Sequence, residues 1–389
     1  MPKSARGEIA GGSNGFGWIA LRTMRLMGTT LPEGFSGADS AIFEGLRSRG
    51  HVAGIVSASL PRRVALYQLV RTIRPSKRAW SRAWRHALLK SPTAFKARMR
   101  VLDRALRSSP TPFDAVLHVG GLCAPFQGVY PRPVALFCDY TTKLAEINYP
   151  PWFGLKPNEA REWYALETEL YQSSALILTA SENTKRSFVQ HFGVDASRVT
   201  VVAEGVDRIH QHADKTYAEE TVLFVGFDFP RKGGPTLLQA FETVRRRRPG
   251  TKLWIVGPDP GEAREGVTWL GRVNREELNA LFAQATVFAM PSVCEPFGLA
   301  MIEAMSHGLP VVGTTIDAMG EIIEEGQSGF LVPPDDAVTV AERLVQLLAD
   351  SALAQEMGRR GQARVRNRFL WRHVVDRVEA ALLEMPLSR

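Results

Sequence analysis

The chain of 389 residues is 45% hydrophobic and 23% charged, enough for two or three domains with their own cores, which excludes a disordered or collagen-like protein. Its three cysteines, Cys123, Cys138 and Cys294, are odd in number and outside any C-x-x-C or His/Cys cluster, so neither a disulfide framework nor a zinc site is indicated, and a reducing cytoplasm is expected. The formal charge of +8 hides an asymmetry: Arg62–Arg107 holds fourteen Lys/Arg against Asp103 alone, a balance of +13, while the other 34 Lys/Arg and 39 Asp/Glu leave −5.

An anionic partner is therefore expected at Arg62–Arg107. No apolar run reaches the roughly 18 residues that span a bilayer, and the start, MPKSARGEIAGGSNG, lacks the apolar stretch of a signal peptide. The expected location is the cytoplasm, free or peripheral at the inner membrane face.

In chain order, Ile19–Met27 is expected as a first strand, Gly28–Gly37 as a loop, Ala38–Arg49 as a helix capped by Ser36, and Val52–Ala58 as a second strand. In the basic stretch, Phe95, Met99, Leu102 and Leu106 fall on one helical face and Trp80, Trp84 and Leu88 on another, each opposite arginines. Three readings stay open: a core-facing stripe with a solvated basic face, an interfacial helix drawn to anionic lipid, or a nucleic-acid surface, the last being disfavoured. From residue 113 onward, short β-branched runs alternate with amphipathic helical patterns. The strands expected there are Ala115–Val119, Val134–Cys138, Ala175–Thr179, Val199–Val202, Val222–Val225, Lys252–Val256, Val287–Met290 and Val311–Gly313. The polar break Glu204–Thr221 reads as a linker, with His210 and His212 solvated for want of a third metal ligand nearby. The fold class is α/β, with two doubly wound Rossmann-like domains in tandem and the ligand between the carboxyl ends of their strands. The expected division is 1–208, a linker at 209–220, and 221–369.

The richest string is Pro291-Ser292-Val293-Cys294-Glu295-Pro296-Phe297-Gly298-Leu299-Ala300-Met301-Ile302-Glu303, an apolar strand end that turns at Glu295-Pro296 and enters a helix near Gly298. Backbone N–H groups of Phe297, Gly298 and Leu299 at that helix start form a seat for a phosphate. Glu295 and Glu303 lie on either side of it and, being acceptors only, suit sugar and ribose hydroxyls. Upstream, Val225-Gly226-Phe227-Asp228-Phe229-Pro230-Arg231-Lys232-Gly233 ends another strand in a glycine turn that delivers Arg231 and Lys232, cations fit to stabilise a departing diphosphate.

These strings, with Trp269-Leu270-Gly271-Arg272-Val273, Pro310-Val311-Val312-Gly313-Thr314, the Gly326–Pro334 turn and Ala203-Glu204-Gly205-Val206-Asp207, resemble the retaining nucleotide-sugar glycosyltransferases of family 4, which have the GT-B fold. The resemblance runs from about residue 113 to 389. It implies that Glu295 contacts the donor sugar, Glu303 the ribose, Phe297–Leu299 the distal phosphate, Arg231 and Lys232 the diphosphate, and Gly271, Arg272 and Val273 the base edge, with Gly226 in the phosphate turn. It also implies that a final helix, Leu370–Leu383 within 370–389, crosses back to complete the N-terminal domain. Two positions depart from the family pattern. Phe227 stands where an arginine is usual, so that Arg231 is expected to supply the charge. Asp139, after the strand Val134–Cys138, stands where many members have a histidine; it takes a catalytic contact or caps the next turn. His118 is expected to be a core histidine.

The implied reaction moves a sugar from a UDP- or GDP-linked donor to an unidentified acceptor hydroxyl with retention. No Asp-x-Asp pair is present, so neither a metal nor any cofactor beyond the donor is expected. No carboxylate can be assigned as a nucleophile, and the resemblance implies a front-face mechanism. The alternatives are another GT-B sugar-nucleotide enzyme, an epimerase or phosphorylase, or an inactive basic membrane- or nucleic-acid-binding protein.

Overall fold

The computed structural model describes residues 24–31, 37–123, 125, 132–212, 215–257 and 261–386. The first sheet contains β1 (Leu26–Thr30), β2 (Val52–Ser57), β3 (Ala115–Val119), β4 (Val134–Phe137), β5 (Leu176–Thr179) and β6 (Val199–Val201), in the order β2-β1-β3-β4-β5-β6. The second contains β7 (Thr221–Val225), β8 (Lys252–Val256), β9 (Val267–Gly271), β10 (Val287–Ala289), β11 (Val311–Thr314) and β12 (Gly329–Val332), in the order β12-β11-β10-β7-β8-β9. All pairings are parallel. Such strands must be covered by helices on both faces, which is why central runs such as Ala115–Val119 are apolar without alternation and wholly buried. Strand order reverses between β1 and β3 and between β7 and β10, and ligands of doubly wound sheets settle at such switch points.

Most expected strands form within a residue of their expected ends. The first does not: β1 begins at Leu26 and includes Gly28, where the sequence suggests a loop, while 19–23 lie outside the described residues. Gly28 belongs in the strand because a Cβ there would meet the Phe43 ring at 2.7 Å. Ser36 also lies outside the described residues, and Gly37, at φ +78°, stands at the start of helix α1 (Ala38–Ser48). The sequence reading missed β9 and β12, both edge strands. The first is only half-buried and carries no strong alternation. Gly329, which opens β12, reads as a turn, yet a Cβ there would fall 2.4 Å from the Val311 carbonyl.

The basic stretch folds as α2 (Arg62–Arg71), α3 (Lys77–Leu89) and α4 (Pro92–Arg107), the last capped by Ser91. Phe95, Met99, Leu102 and Leu106 of α4 are buried, and Phe95 meets Trp163 edge-on at 5.2 Å. The α3 stripe differs. Trp80 and Trp84 donate their indole N–H groups to the carbonyls of Leu69 (2.9 Å) and Ala65 (3.1 Å), fastening α3 to α2. Leu66, Tyr67, Val70 and Ile73, on and just beyond α2, remain more than half exposed. Among the described residues no helix is long and apolar enough to cross a membrane.

The chain returns to the first sheet at its end. Val206 donates to Phe369 O at 2.9 Å and accepts from Trp371 N at 3.0 Å, so the outgoing and returning segments pair. The helix Trp371–Glu384 then buries Val374, Val375, Val378 and Leu382 in the core of the first sheet. Arg49 holds Asp376 and Glu379, at 2.6 and 2.5 Å. His118 is a core histidine, bonded to Thr29 and the Cys123 carbonyl at 2.8 Å each; burial pulls its pKa down to about 4.

Because α4 packs Phe95 into the core while α3 keeps Arg82 in solvent, Phe95→Ala should cost about 3–5 kcal/mol of stability and Arg82→Ser less than about 0.5 kcal/mol. Urea unfolding of the two variants checks this, and equal losses would contradict the packing.

Candidate active site

The carboxyl ends of β7 and β10, neighbours at the switch point, bring the expected residues together. Beyond β7 the chain turns tightly, with Lys232 N bonded to Asp228 O (2.9 Å) and Gly233 N to Pro230 O (3.1 Å). Two glycines make this turn possible. A Cβ on Gly226 would lie 2.3 Å from Lys232 Cδ, and Gly233, at φ +75°, would place one 1.7 Å from the Pro291 carbonyl oxygen. Lys232 therefore folds back across Gly226 and donates to Glu295 Oε2 at 2.9 Å. Arg231 Nη1 lies 3.6 Å from the same oxygen and donates to Cys294 O at 2.6 Å, while its Nε reaches Asp228 at 3.3 Å. Glu295 is buried, one carboxylate between two cations.

Immediately after it, Phe297 is buried and Gly298, at φ +115°, starts the helix Leu299–Ser306. Met301 N and Ile302 N donate to Gly298 O, at 2.9 and 3.3 Å, while Leu299 and Ala300 stand at the helix start, where N–H groups lack an intrahelical acceptor. Glu303, one turn further, is bound by Arg275 at 2.6 Å through Oε1, leaving Oε2 for another donor. The β9 end is laced to this floor: Gly226 N donates to Val256 O (2.9 Å) and Gly257 N to Gly271 O (2.7 Å). Gly271, at φ +62°, faces open space. Val273 follows, and the Arg272 guanidinium lies 4.8 Å from the ring centre of Phe227, which is 63% exposed. Phe227 thus takes no part in the cation cluster, whose guanidinium is that of Arg231, four residues later.

The other sheet closes the site from above. Asp139, just past β4, is not the cap of the helix Thr142–Asn148, whose capping side chain is Thr141. Burial raises the Asp139 carboxyl above its ordinary range, backbone N–H groups oppose this, and the Glu295 charge across the cleft adds to it. Several cleft residues escaped the sequence reading. Trp152 lies under the Arg231 guanidinium at 4.7 Å. Lys90, one cation among fourteen in sequence, lies 5.0 Å from the same ring centre and donates to Trp152 O at 2.7 Å. Tyr140, Asn148 and Asn183 all reach Asp317. None belongs to a motif; only the proximity of Tyr140 to Asp139 offered a signal.

His210 and His212 are not simply solvated. His307, at the end of the Glu303 helix, supplies the third imidazole, stacked 3.8 Å from His210 and bonded to His212 at 2.8 Å. Among the described residues no group of three or more His, Cys, Asp or Glu is arranged to hold a metal ion, and the stacked rings dock the linker against the end of the Glu303 helix.

Two facing parallel sheets with this cleft define a GT-B protein. Solved structures agree over nearly the whole chain: sucrose-phosphate synthase from Thermosynechococcus elongatus (TM-score 0.68, 17% identity, 93% of this chain and 98% of that one) and WaaG, a glycosyltransferase involved in lipopolysaccharide biosynthesis (0.65, 16%, 92% and 99%). HepE from Anabaena, in complex with UDP and glucose, superposes with a TM-score of 0.63 at 16% identity, over 93% of this chain and 100% of that one. In sequence, residues 41–209 match Glycosyltransferase Family 4 and residues 219–350 match Glycosyl transferases group 1. The protein belongs to these family 4 glycosyltransferases. Glycogen synthase of Mycobacterium tuberculosis is 30% identical over 55% of this chain and 55% of its own length, and the phosphatidyl-myo-inositol mannosyltransferase of Mycolicibacterium smegmatis is 33% identical over 50% and 53%. The chain spans about half the length of these curated relatives.

Burial, and then the charge of Arg231, hold the Lys90 amino group down to about 8. Between pH 8 and about 10.5 the folded state then binds fewer protons than the unfolded state, so Lys90 makes stability rise with pH across that window. Relative to Lys90→Met, the wild type should be flat below pH 8 and gain stability above it. Chemical unfolding at pH 7, 9 and 10 tests this, and a difference that falls with pH would contradict the burial of Lys90 beside Arg231.

Proposed function

We propose that the protein is a retaining glycosyltransferase that moves a sugar from a UDP- or GDP-linked donor to an acceptor hydroxyl. The observation that carries this reading is the buried Lys232–Glu295 pair at 2.9 Å, set beside a helix N-terminus at the switch point of the second sheet. Lys232 has three N–H donors, so it can keep Glu295 and still hold an oxygen of the diphosphate. Arg231 adds charge, and the N–H groups of Phe297, Gly298 and Leu299 take the distal phosphate. Glu295 Oε1 is left for a sugar hydroxyl, Glu303 Oε2 for the ribose, and the Gly271–Val273 turn for the base edge. HepE, bound to UDP and glucose, and the family's synthases and mannosyltransferases support a nucleotide-sugar donor.

Catalysis on this reading is positioning and charge stabilisation. The leaving phosphate accepts the acceptor's proton on the same face of the sugar. Arg231 and Lys232 neutralise the diphosphate in place of a metal, and no cofactor beyond the donor takes part. Asp139 contacts sugar or acceptor from the opposite domain. Losing a hydrogen bond to a charged group costs about 1.5–3 kcal/mol, so Glu295→Ala and Lys232→Ala should each lower turnover about 10- to 100-fold with the fold intact. Release of UDP or GDP from donor sugars, measured with and without EDTA, tests both points: near-normal turnover in either variant removes the site, and metal-reversible loss in EDTA removes the cation mechanism.

The partner of the basic stretch on this reading is an anionic membrane surface that carries or adjoins the acceptor, with nucleic acid disfavoured. The support has moved from α3 and α4 to α2, whose Leu66, Tyr67 and Val70, with Ile73 beyond, form an exposed apolar face among Arg62, Arg63, Arg71 and Arg74. Such a helix lies in the headgroup plane, each nearby basic residue adding about 1 kcal/mol. Sedimentation with vesicles containing anionic lipid should show binding that falls steeply with salt. Leu66→Ser with Val70→Ser should abolish it without altering nucleotide affinity. A protein that stays in the supernatant with fully anionic vesicles at low salt has a soluble acceptor.

A further inference from the structure

Asp317 occupies an uncommon backbone position. It follows β11, and its φ of +46° lies in the left-handed region that favours glycine and that aspartate enters more readily than most residues. Its carboxylate is the meeting point of four elements. Oδ2 accepts the backbone N–H of Glu295 at 2.9 Å. Oδ1 accepts from Tyr140 Oη at 2.8 Å, from Asn148 Nδ2 at 2.7 Å and from Asn183 Nδ2 at 3.2 Å. The first of these donors lies on the second sheet's side of the cleft, and the other three belong to the first sheet's domain. Oδ1 thus takes the three donors of the first sheet's domain and Oδ2 the one from the Glu295 loop, so that one carboxylate faces both sides of the cleft.

A second carboxylate from the same segment reinforces the grip. Glu321 accepts the N–H groups of Glu182 (2.9 Å) and Asn183 (3.1 Å), capping the helix Glu182–Phe192 from the opposite domain. Asp317 differs from Glu321 in one respect: it also holds the loop that carries the Glu295 side chain. The same group therefore reads whether the domains are closed and where Glu295 stands.

We propose that Asp317 is the latch of the cleft, a positioning residue that ties closure of the N-terminal domain, through Tyr140, Asn148 and Asn183, to the placement of Glu295. This rests on the donor-site reading above. In the open state three donors leave Oδ1, which water then covers, and the Glu295 backbone is held at one point only. On closure Oδ1 regains its three donors, and the loop that carries Glu295 is tied through Asp317 to the N-terminal domain. A tie of this kind affects turnover more than donor affinity, because the nucleotide seat lies wholly in the second sheet's domain.

Asp317→Gly separates this role from a structural one, since glycine suits φ +46° and relieves the backbone while deleting the latch. The expected result is a folded protein that unfolds in one cooperative transition, a dissociation constant for UDP or GDP within about twofold of wild type, and release of nucleotide from UDP-glucose or GDP-mannose slowed about tenfold or more, the loss of a charge-assisted hydrogen bond. Small-angle scattering should also show a larger radius of gyration than for wild type in the presence of the nucleotide. Asn148→Ala with Asn183→Ala approaches the latch from the other side. It should reproduce the slowing, and combining it with Asp317→Gly should add little. Turnover within twofold of wild type in both variants, or losses that simply multiply, would overturn the latch. A variant that lowers stability and turnover together while leaving the radius of gyration unchanged would also overturn it, as a purely structural tie. Failure of wild type itself to bind either nucleotide would instead sink the donor-site reading.

Discussion

Burying Glu295 between Lys232 and Arg231 takes charges out of water, and the attraction among them repays that cost only when geometry and hydrogen bonding are favourable. A fold seeking stability alone gains as much from apolar side chains at these positions. The surrounding chain is shaped to meet the demand. Gly226 clears the path of the Lys232 stem, Gly233 lets its turn rest on the Pro291 carbonyl, and Asp317 pins the Glu295 backbone. Val293 N, bonded to Arg231 O at 2.9 Å, joins the two loops directly. Each of these devices is local, yet all depend on β7 and β10 being neighbours although β8 and β9 lie between them in sequence.

Legibility in the sequence followed the physics of each feature. Central parallel strands are buried on both faces, so runs such as Ala115–Val119 and Lys252–Val256 announced themselves. Edge strands lack that constraint, and β9 and β12 went unseen. Glu295, Arg231, Lys232 and the Gly298 turn were legible because each stands in a short string at a strand end, and the strings together, in their order along the chain, resemble family 4. Trp152, Lys90 and Asp317 were not, for their significance lies in contacts across a cleft between segments dozens of residues or more apart. The stacking of His307 on His210 is of the same kind, a contact spanning the linker that no local pattern records.

The positive charge of the N-terminal half also proved to serve several ends. Arg98 reaches inward to the carbonyls of Leu88 and Leu89, closing the end of α3. Lys90 enters the cleft, Arg71 and Lys96 pair with Glu159 and Glu162, and Arg62, Arg63 and Arg74 stay in solvent beside the apolar face of α2. A net charge counted along sequence merges these uses. Only burial separates a cation that supports packing from one that offers a field to a partner.

The return of the helix Trp371–Glu384 to the first sheet has a consequence for synthesis on the ribosome. The first sheet is complete once β6 has emerged, but the core beneath it lacks Val374, Val375, Val378 and Leu382 until about 170 residues later. At 5–20 residues per second that is a delay of roughly ten to thirty seconds, during which an apolar face stays uncovered. The core of the second sheet takes its last residues, Val365, Phe369 and Leu370, just before that helix and so closes first. Vectorial translation therefore runs against the order in which the two halves mature, and the half made first is the one finished last.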